Sequence, residues 1–292
     1  MCPCRALTVM TTHVAIVGAY GSAGVAVAER LADAPDVELT LVDDGDPGGG
    51  LCILRGCMPS KEVLSAAEHR FVARHDDRLT GPLPDVALER VVERKDEHTS
   101  SFAAHRRAAV ERLAEREGVT LRRETARFVD DRVLAVGDRR VEPDYVVLAT
   151  GSVPNVPDLP GIEEVEPLTS ADVLDATTLP DSGVVMGFGY VGLELVPYLA
   201  EAGVDLTVIE HDERPLDEAD APFGDALLEF YRDAFGVAVL TNTRERRVEA
   251  TDAGVRLVVE RGGTEETVEA ESLFAFTGRR PALDRLGLDA TR

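Results

Sequence analysis

The chain has 292 residues, enough for two domains with real cores. Asp and Glu number 54 against 31 Lys and Arg, giving a formal charge of −23. That charge argues against nucleic-acid and anionic-membrane partners, because phosphates would be repelled, and no apolar run approaches the ~18 residues that span a bilayer.

Lys61 and Lys95 are the only lysines. An acid-rich, lysine-poor surface suits a protein dissolved in concentrated salt. At the N-terminus, Cys2 and Cys4 form a CxC with no second Cys or His pair nearby to complete a metal site. Residues 1–11 read as a flexible tail, with Met10 as an alternative start. Arg5 before a mildly apolar stretch imitates a signal peptide, but the apolar part runs on into a glycine turn and reads better as a first strand. The expected location is the cytoplasm.

His13-Val14-Ala15-Ile16-Val17 is a short apolar strand of the buried type. Gly18-Ala19-Tyr20-Gly21-Ser22-Ala23-Gly24 is a turn, Val25 to Ala32 a helix, and Val37 to Val42 a second strand ending at Asp43-Asp44. A dinucleotide site needs glycines so that the backbone can approach a pyrophosphate at a helix N-terminus. It also needs an acid after the second strand for a ribose hydroxyl, which Asp43 supplies. Counted from either end the GxGxxG spacing is imperfect, as if one residue, Tyr20, were inserted.

Gly48-Gly49-Gly50-Leu51 leads into Cys52-Ile53-Leu54-Arg55-Gly56-Cys57 and Met58-Pro59-Ser60-Lys61. A loop this short makes a poor structural staple. On one regular helix the two cysteines would stand about 7.5 Å apart along the axis, and a disulfide needs Cα atoms roughly 4.4–6.8 Å apart. The pair therefore bridges only on a distorted turn, which Gly56 permits. A strained bridge is easily reduced, so the spacing points to redox chemistry. Glu89 to Arg116 is dense in Glu, Arg and Ala and reads as a solvated helix, with His98 and His105 unassigned.

Gly183-Val184-Val185-Met186 leads into Gly187-Phe188-Gly189-Tyr190-Val191-Gly192, a full GxGxxG after a strand. Leu193 to Ala202 reads as its helix, ended by Gly203, and Asp205 to Glu210 as the next strand. Glu210 stands where the ribose acid belongs and favours NAD over NADP, whose 2′-phosphate wants arginine; Arg214 and Arg279 are nearby in sequence.

Four segments in order resemble the class I pyridine nucleotide-disulfide oxidoreductases, the group of dihydrolipoamide dehydrogenase, glutathione reductase and mercuric reductase. They are Gly48 to Lys61 (GGxCxxxxCxPSK), Tyr145 to Ser152 with its Ala149-Thr150-Gly151, Gly187 to Glu194, and Thr277-Gly278-Arg279-Arg280-Pro281. The resemblance implies an α/β chain of two tandem Rossmann-like dinucleotide-binding domains. An FAD-binding domain would span 12–155, an NAD(P)-binding domain 156–275, and the start of a return to the first domain 276–292.

It further implies FAD held at Gly18, Gly21, Ser22, Ala23, Gly24, Asp43, Gly49, Gly50, Lys61, Ala126, Thr150 and Gly151, with Gly278 of the GRxP turn as a further cofactor-binding residue. NAD(P)H would lie at Gly187, Gly189, Tyr190, Val191, Gly192 and Glu210. Cys52 would be the thiol that exchanges with a substrate disulfide and Cys57 the thiol facing the flavin. Lys61, paired with Glu194, would be a buried cation beside it. The implied reaction passes electrons between NAD(P)H, FAD and the Cys52–Cys57 pair to a small disulfide or dithiol. Relatives continue past the GRxP turn into a dimer-interface domain with a His-Glu pair, whereas this chain stops at Arg292. The family's homodimer would then lack its interface domain, as in a truncated, fragmentary or split enzyme. The rival readings are a crippled FAD/NAD(P)-binding protein and a redox-sensing dinucleotide-binding module.

Overall fold

The computed structural model describes residues 10–46 and 48–292. Cys2, Cys4 and the rest of residues 1–9 lie outside the described residues, and so does the sequence reading of them. The described chain forms two compact units. The first holds the residues up to Leu54 with His98–Ser152 and Pro281–Arg292; the second holds Arg55–Glu97 and Val153–Arg280. Residues 55–97, which fall inside the span read from sequence as one FAD-binding domain, thus pack with the second unit.

In the first unit, β1 (Thr12–Val17), α1 (Ser22–Ala32) and β2 (Val37–Val42) form a strand-helix-strand motif. After α2 (Gly50–Leu54), α3 (Cys57–His75) and α4 (Leu88–Ala114) come β3 (Val119–Arg122), β4 (Ala126–Asp130), β5 (Val133–Val136), β6 (Arg139–Val141) and β7 (Tyr145–Leu148). The parallel sheet has the order β3-β2-β1-β7, and β4-β5-β6 form a separate antiparallel ribbon. Val14 to Val17 and Leu39 to Val42 are buried or nearly so, the continuous apolar run expected of parallel strands covered on both faces. One core gathers Ile16, Tyr20, Leu41, Val110 and Leu113; the other lies between Ala15, Val42, Phe128, Leu134 and Leu286.

β8 (Ser152–Pro154) and β17 (Arg279–Pro281) fall where the chain passes between the units. The second unit contains β9 (Leu168–Thr169), α5 (Ser170–Leu174), β10 (Ser182–Met186), α6 (Tyr190–Glu201), β11 (Asp205–Ile209), α7 (Ala221–Phe235) and β12 (Ala238–Leu240). It continues with β13 (Thr243–Thr251), β14 (Gly254–Arg261), β15 (Thr264–Ala270) and β16 (Ser272–Ala275). Its parallel sheet runs β12-β11-β10-β16-β9, with β13-β14-β15 as an antiparallel sheet. α3 packs against α6 because Val63 and Ala67 share a core with Leu195, Val196 and Leu199. Glu201, buried at the end of α6, accepts from Arg70 at 2.6 Å and Arg74 at 2.5 Å, closing that helix pair with ions.

Two sequence expectations change. Helix α6 begins at Tyr190 rather than Leu193, because Gly189 in extended conformation is already its N-cap. The expected solvated helix over 89–116 is α4, and it has an inward face carrying Lys95, Ala103, Val110 and Leu113. Lys95, only 3 % exposed, is matched by Asp96 at 3.0 Å and by Asp175, which also pairs with Arg55. Its buried charge is therefore compensated.

Candidate active site

The first glycine turn joins β1 to α1. Gly18 has φ +95°, and a Cβ there would lie 2.2 Å from the Ala149 carbonyl oxygen. A Cβ on Gly24 would lie 2.1 Å from the Gly18 oxygen, while one on Gly21 would meet nothing closer than 3.5 Å. The three glycines thus make the tight turn, leave the helix N-terminus open, and let helix meet strand, the division of labour a pyrophosphate site needs. Ser22 and Ala23 are exposed on the first turn of α1, where amides have no intrahelical partner.

The second turn repeats this with one residue fewer. A Cβ on Gly187 (φ +91°) would lie 2.8 Å from the Phe276 oxygen and one on Gly192 2.5 Å from the Gly187 oxygen, while one on Gly189 would meet nothing within 4 Å. Gly18-Ala19-Tyr20-Gly21 therefore does the work of Gly187-Phe188-Gly189, and the extra residue is accommodated by burying both Ala19 and Tyr20. Both acids are tied to their turns. Asp43 accepts from the Tyr20 and Gly45 amides at 2.9 Å each, and Glu210 accepts from the Phe188 and Asp212 amides at 3.0 Å each. A carboxylate offers about four acceptor positions, so each acid keeps capacity for a ribose. Open amides, close backbone approach and a held acid fit both turns to a dinucleotide.

The turns share a third part. β7 runs into Ala149-Thr150-Gly151 against Gly18, and β16 runs into Phe276-Thr277-Gly278 against Gly187. Gly151 (φ +72°) and Gly278 (φ +86°) are both exposed and open around Cα. Sequence reasoning matched these segments to motifs separately; comparing the two units with each other would have exposed the repeated Thr-Gly.

Gly49 (φ +120°) and Gly50 (φ +68°) open α2, and a Cβ on Gly50 would lie 3.1 Å from the Gly21 Cα. Gly50, two residues before Cys52, therefore lies against the first glycine turn. Ala126 is buried at the start of β4. Cys52 is half-buried in α2 and Cys57 is the exposed first residue of α3; both are thiols. The chain breaks between the two helices at Gly56 (φ −141°, ψ −117°), the distorted turn the spacing requires.

Lys61 Nζ lies 2.5 Å from Glu194 Oε1, and Ser60 Oγ donates to the other carboxylate oxygen at 3.5 Å. The expected pair forms, but it is not buried: the side chains are 63 % and 47 % exposed. They reach across the α3–α6 pair at its solvent edge, four residues beyond Cys57. Tyr190, the first residue of α6, is 71 % exposed and its hydroxyl donates to Glu218 at 3.1 Å, so it packs into no core. Val191 contacts the core of the second unit.

Residues 12–291 match the family model described as pyridine nucleotide-disulphide oxidoreductase. The chain belongs to that family. Family members use FAD and pyridine nucleotides. A Staphylococcus aureus dihydrolipoyl dehydrogenase is 32% identical over 284 residues, covering 95% of this chain and 59% of the relative. A Staphylococcus aureus mercuric reductase is 29% identical over 274 residues, covering 92% and 49%. Among solved structures, the HOCl-induced flavoprotein disulfide reductase RclA from Escherichia coli, as its Cu(II) complex, shares the fold. Its TM-score is 0.76 at 24% identity, over 95% of this chain and 59% of that one. The chain spans about half the length of the curated relatives it matches. Among the described residues no helix is long and apolar enough to cross a membrane.

Proposed function

We propose that the chain is the dinucleotide and dithiol part of an FAD-dependent, NAD(P)H-linked disulfide oxidoreductase acting on a small disulfide or dithiol. The observation that carries the reading is the approach of Gly50 to Gly21, which sets the Cys52 helix on the first dinucleotide turn. The relatives named dihydrolipoyl dehydrogenase and mercuric reductase support the same class. A homodimer and a cytoplasmic location, where thiols are kept reduced, belong to this reading.

Bound FAD would supply a two-electron relay between nicotinamide and dithiol. The amides of Ser22 and Ala23 would hold its pyrophosphate and Asp43 its ribose, with Gly49, Gly50, Ala126, Thr150 and Gly151 as backbone neighbours. Lys61, oriented by Glu194, supplies a positive charge four residues beyond Cys57. The α6 N-terminus behind Gly189, with Tyr190, Val191 and Glu210, receives NADH. Cys52 thiolate attacks a sulfur of the substrate disulfide, that S–S bond breaks, and one substrate thiolate leaves to take a proton. Cys57 thiolate then attacks Cys52 sulfur, releasing the second substrate thiol and closing Cys52–Cys57. A hydride equivalent from NADH, two electrons and one proton, together with one further proton from solvent reopens the bridge as two thiols.

Thiol titration of purified, FAD-supplemented protein tests this. From the oxidised state, NADH should yield two additional titratable thiols per chain in the wild type and none in Cys52→Ser. NADH binding without new thiols would instead favour a non-catalytic binding module, and a colourless protein that takes up no FAD would overturn the flavin assignment.

A further inference from the structure

The chain has 31 lysines and arginines, only Lys61 and Lys95 are lysines, and both lead to the cysteine pair. Lys61 joins Glu194 four residues beyond Cys57. Lys95 stands in α4 and reaches the pair through Asp175: its Nζ donates to Asp175 Oδ1, and Arg55 donates to Oδ2 of the same carboxylate. Arg55 lies between the two cysteines, next to the break at Gly56 and two residues before Cys57. Arg55, Cys57, Lys95 and Asp175 all belong to the second unit.

Burial gives this relay a direction. The Lys95 side chain is 4 % exposed, that of Asp175 41 % and that of Arg55 55 %. An exposed ion pair is weak by itself, because two mobile side chains must be immobilised to form it. Here the acceptor is immobilised beforehand. Asp175 ends α5 with its amide bonded to the Asp172 and Val173 oxygens, and Val173 and Leu174 seat that helix in the core. Buried Lys95 then fixes the Asp175 carboxylate. Stability gives no reason for a lysine there, since apolar residues of similar volume often serve as well as a buried ion pair. Its compact ammonium sits against two acids, Asp175 and, at 3.0 Å, Asp96, where a planar guanidinium would need a different geometry.

We propose that Lys95 is a positioning residue for the cysteine pair: by fixing Asp175 it pins Arg55, and with it the turn at Gly56, in the conformation from which Cys52 and Cys57 close. The proposal rests on reading those cysteines as the redox pair and adds the anchor that holds their loop. A chain restricted in this way brings two thiols together at a higher effective concentration than a chain free to wander.

Glutathione redox buffers test this without FAD or NADH. Two protein thiols and one oxidised glutathione give the Cys52–Cys57 bridge and two reduced glutathiones, and the equilibrium constant measures the effective concentration of the pair. Arg55→Gln and Lys95→Met should each lower that constant about tenfold, which raises the reduction potential by about 30 mV. The double variant should fall no further than either single one, because Lys95 acts through Arg55. Lys95→Met leaves no charge buried, as Asp175 and Asp96 both reach solvent, so the fold should survive. Arg55→Gln removes only an exposed pair and keeps the proposal falsifiable on its own: an unchanged constant in that variant overturns it. So does a Lys95→Met effect that recurs in the Arg55→Gln background, since Lys95 would then act on the fold and not on the loop. Wild type that forms no Cys52–Cys57 bridge in oxidised buffer overturns the redox reading of the pair as well. Constants that shift as stated in a protein whose bridge NADH does not open would support the anchor and overturn the NADH-linked reading alone.

Discussion

His211 is where charge and geometry can be read from one side chain. Its hydrogen bond to Glu245 raises its pKa above the usual 6.5; partial burial and Arg244 oppose, and the charges of Glu245 and Glu210 add to the rise. A histidine whose pKa is raised on folding contributes stability in full below its unfolded value and loses it as pH climbs through the folded value. The window therefore opens above about 6.5. We expect the His211 ring to titrate by NMR with a midpoint above 6.5, and Glu245→Gln to bring that midpoint down. Because the ring is nearly half exposed, the associated loss of stability with rising pH is small. A midpoint at or below 6.5 in wild type would refute the pairing. Lys61–Glu194 teaches a related lesson: exposed as it is, the pair adds little to stability, so its interest lies in orienting a charge four residues beyond Cys57.

At the scale of the elements, the two strand-turn-helix motifs separate glycines that fold the chain from glycines that serve a ligand. A Cβ on Gly192 would lie 2.5 Å from the Gly187 oxygen, whereas one on Gly189, which has ordinary φ −76°, would meet nothing within 4 Å. Gly192→Ala must push backbone from backbone, a strain of about 1–3 kcal/mol. That should lower the thermal midpoint by roughly 2–4 °C per kcal/mol. Gly189→Ala should leave the midpoint within about 2 °C and remove most NADH binding, because its methyl stands where a pyrophosphate would approach. If both variants lose stability alike, the division of roles fails. These turns were legible in the sequence because a glycine at a positive φ or a close approach leaves no alternative residue. The one-residue expansion at Tyr20 could be read as an insertion, but not that Ala19 and Tyr20 would be buried, since burial is decided by chain arriving from 106 to 123. Lys95 and Glu245 were illegible for a similar reason. Each is an acid or base in a charged stretch, and its burial comes from partners distant in sequence, Asp175 for one and His211 for the other. The exposure of Lys61–Glu194 was missed because a motif reports which residues pair, not how much solvent reaches them.

For the whole molecule the governing quantity is charge. An excess of 23 negative charges repels itself, and added salt screens that repulsion, shortening the Debye length from about 8 Å at 0.15 M to about 3 Å at 1 M. Salt also weakens attractive pairs, and β13–β15 carry exposed ones such as Arg246–Glu260 at 2.6 Å and Arg256–Glu269 at 2.6 Å. The two effects oppose each other, so magnitude must decide. Exposed pairs are worth about 0–1 kcal/mol each and several contribute nothing measurable, while the surplus carboxylates have no cation to lose. Screening should therefore stabilise on balance. The thermal midpoint is expected to rise as KCl goes from about 0.1 M to about 1 M, where the Debye length shortens most, and then to level off. NaCl should act equally, because screening depends on ionic strength and not on the cation. A midpoint that falls steadily with either salt would mean that the ion pairs outweigh the surplus, and would remove the case for a protein suited to concentrated salt.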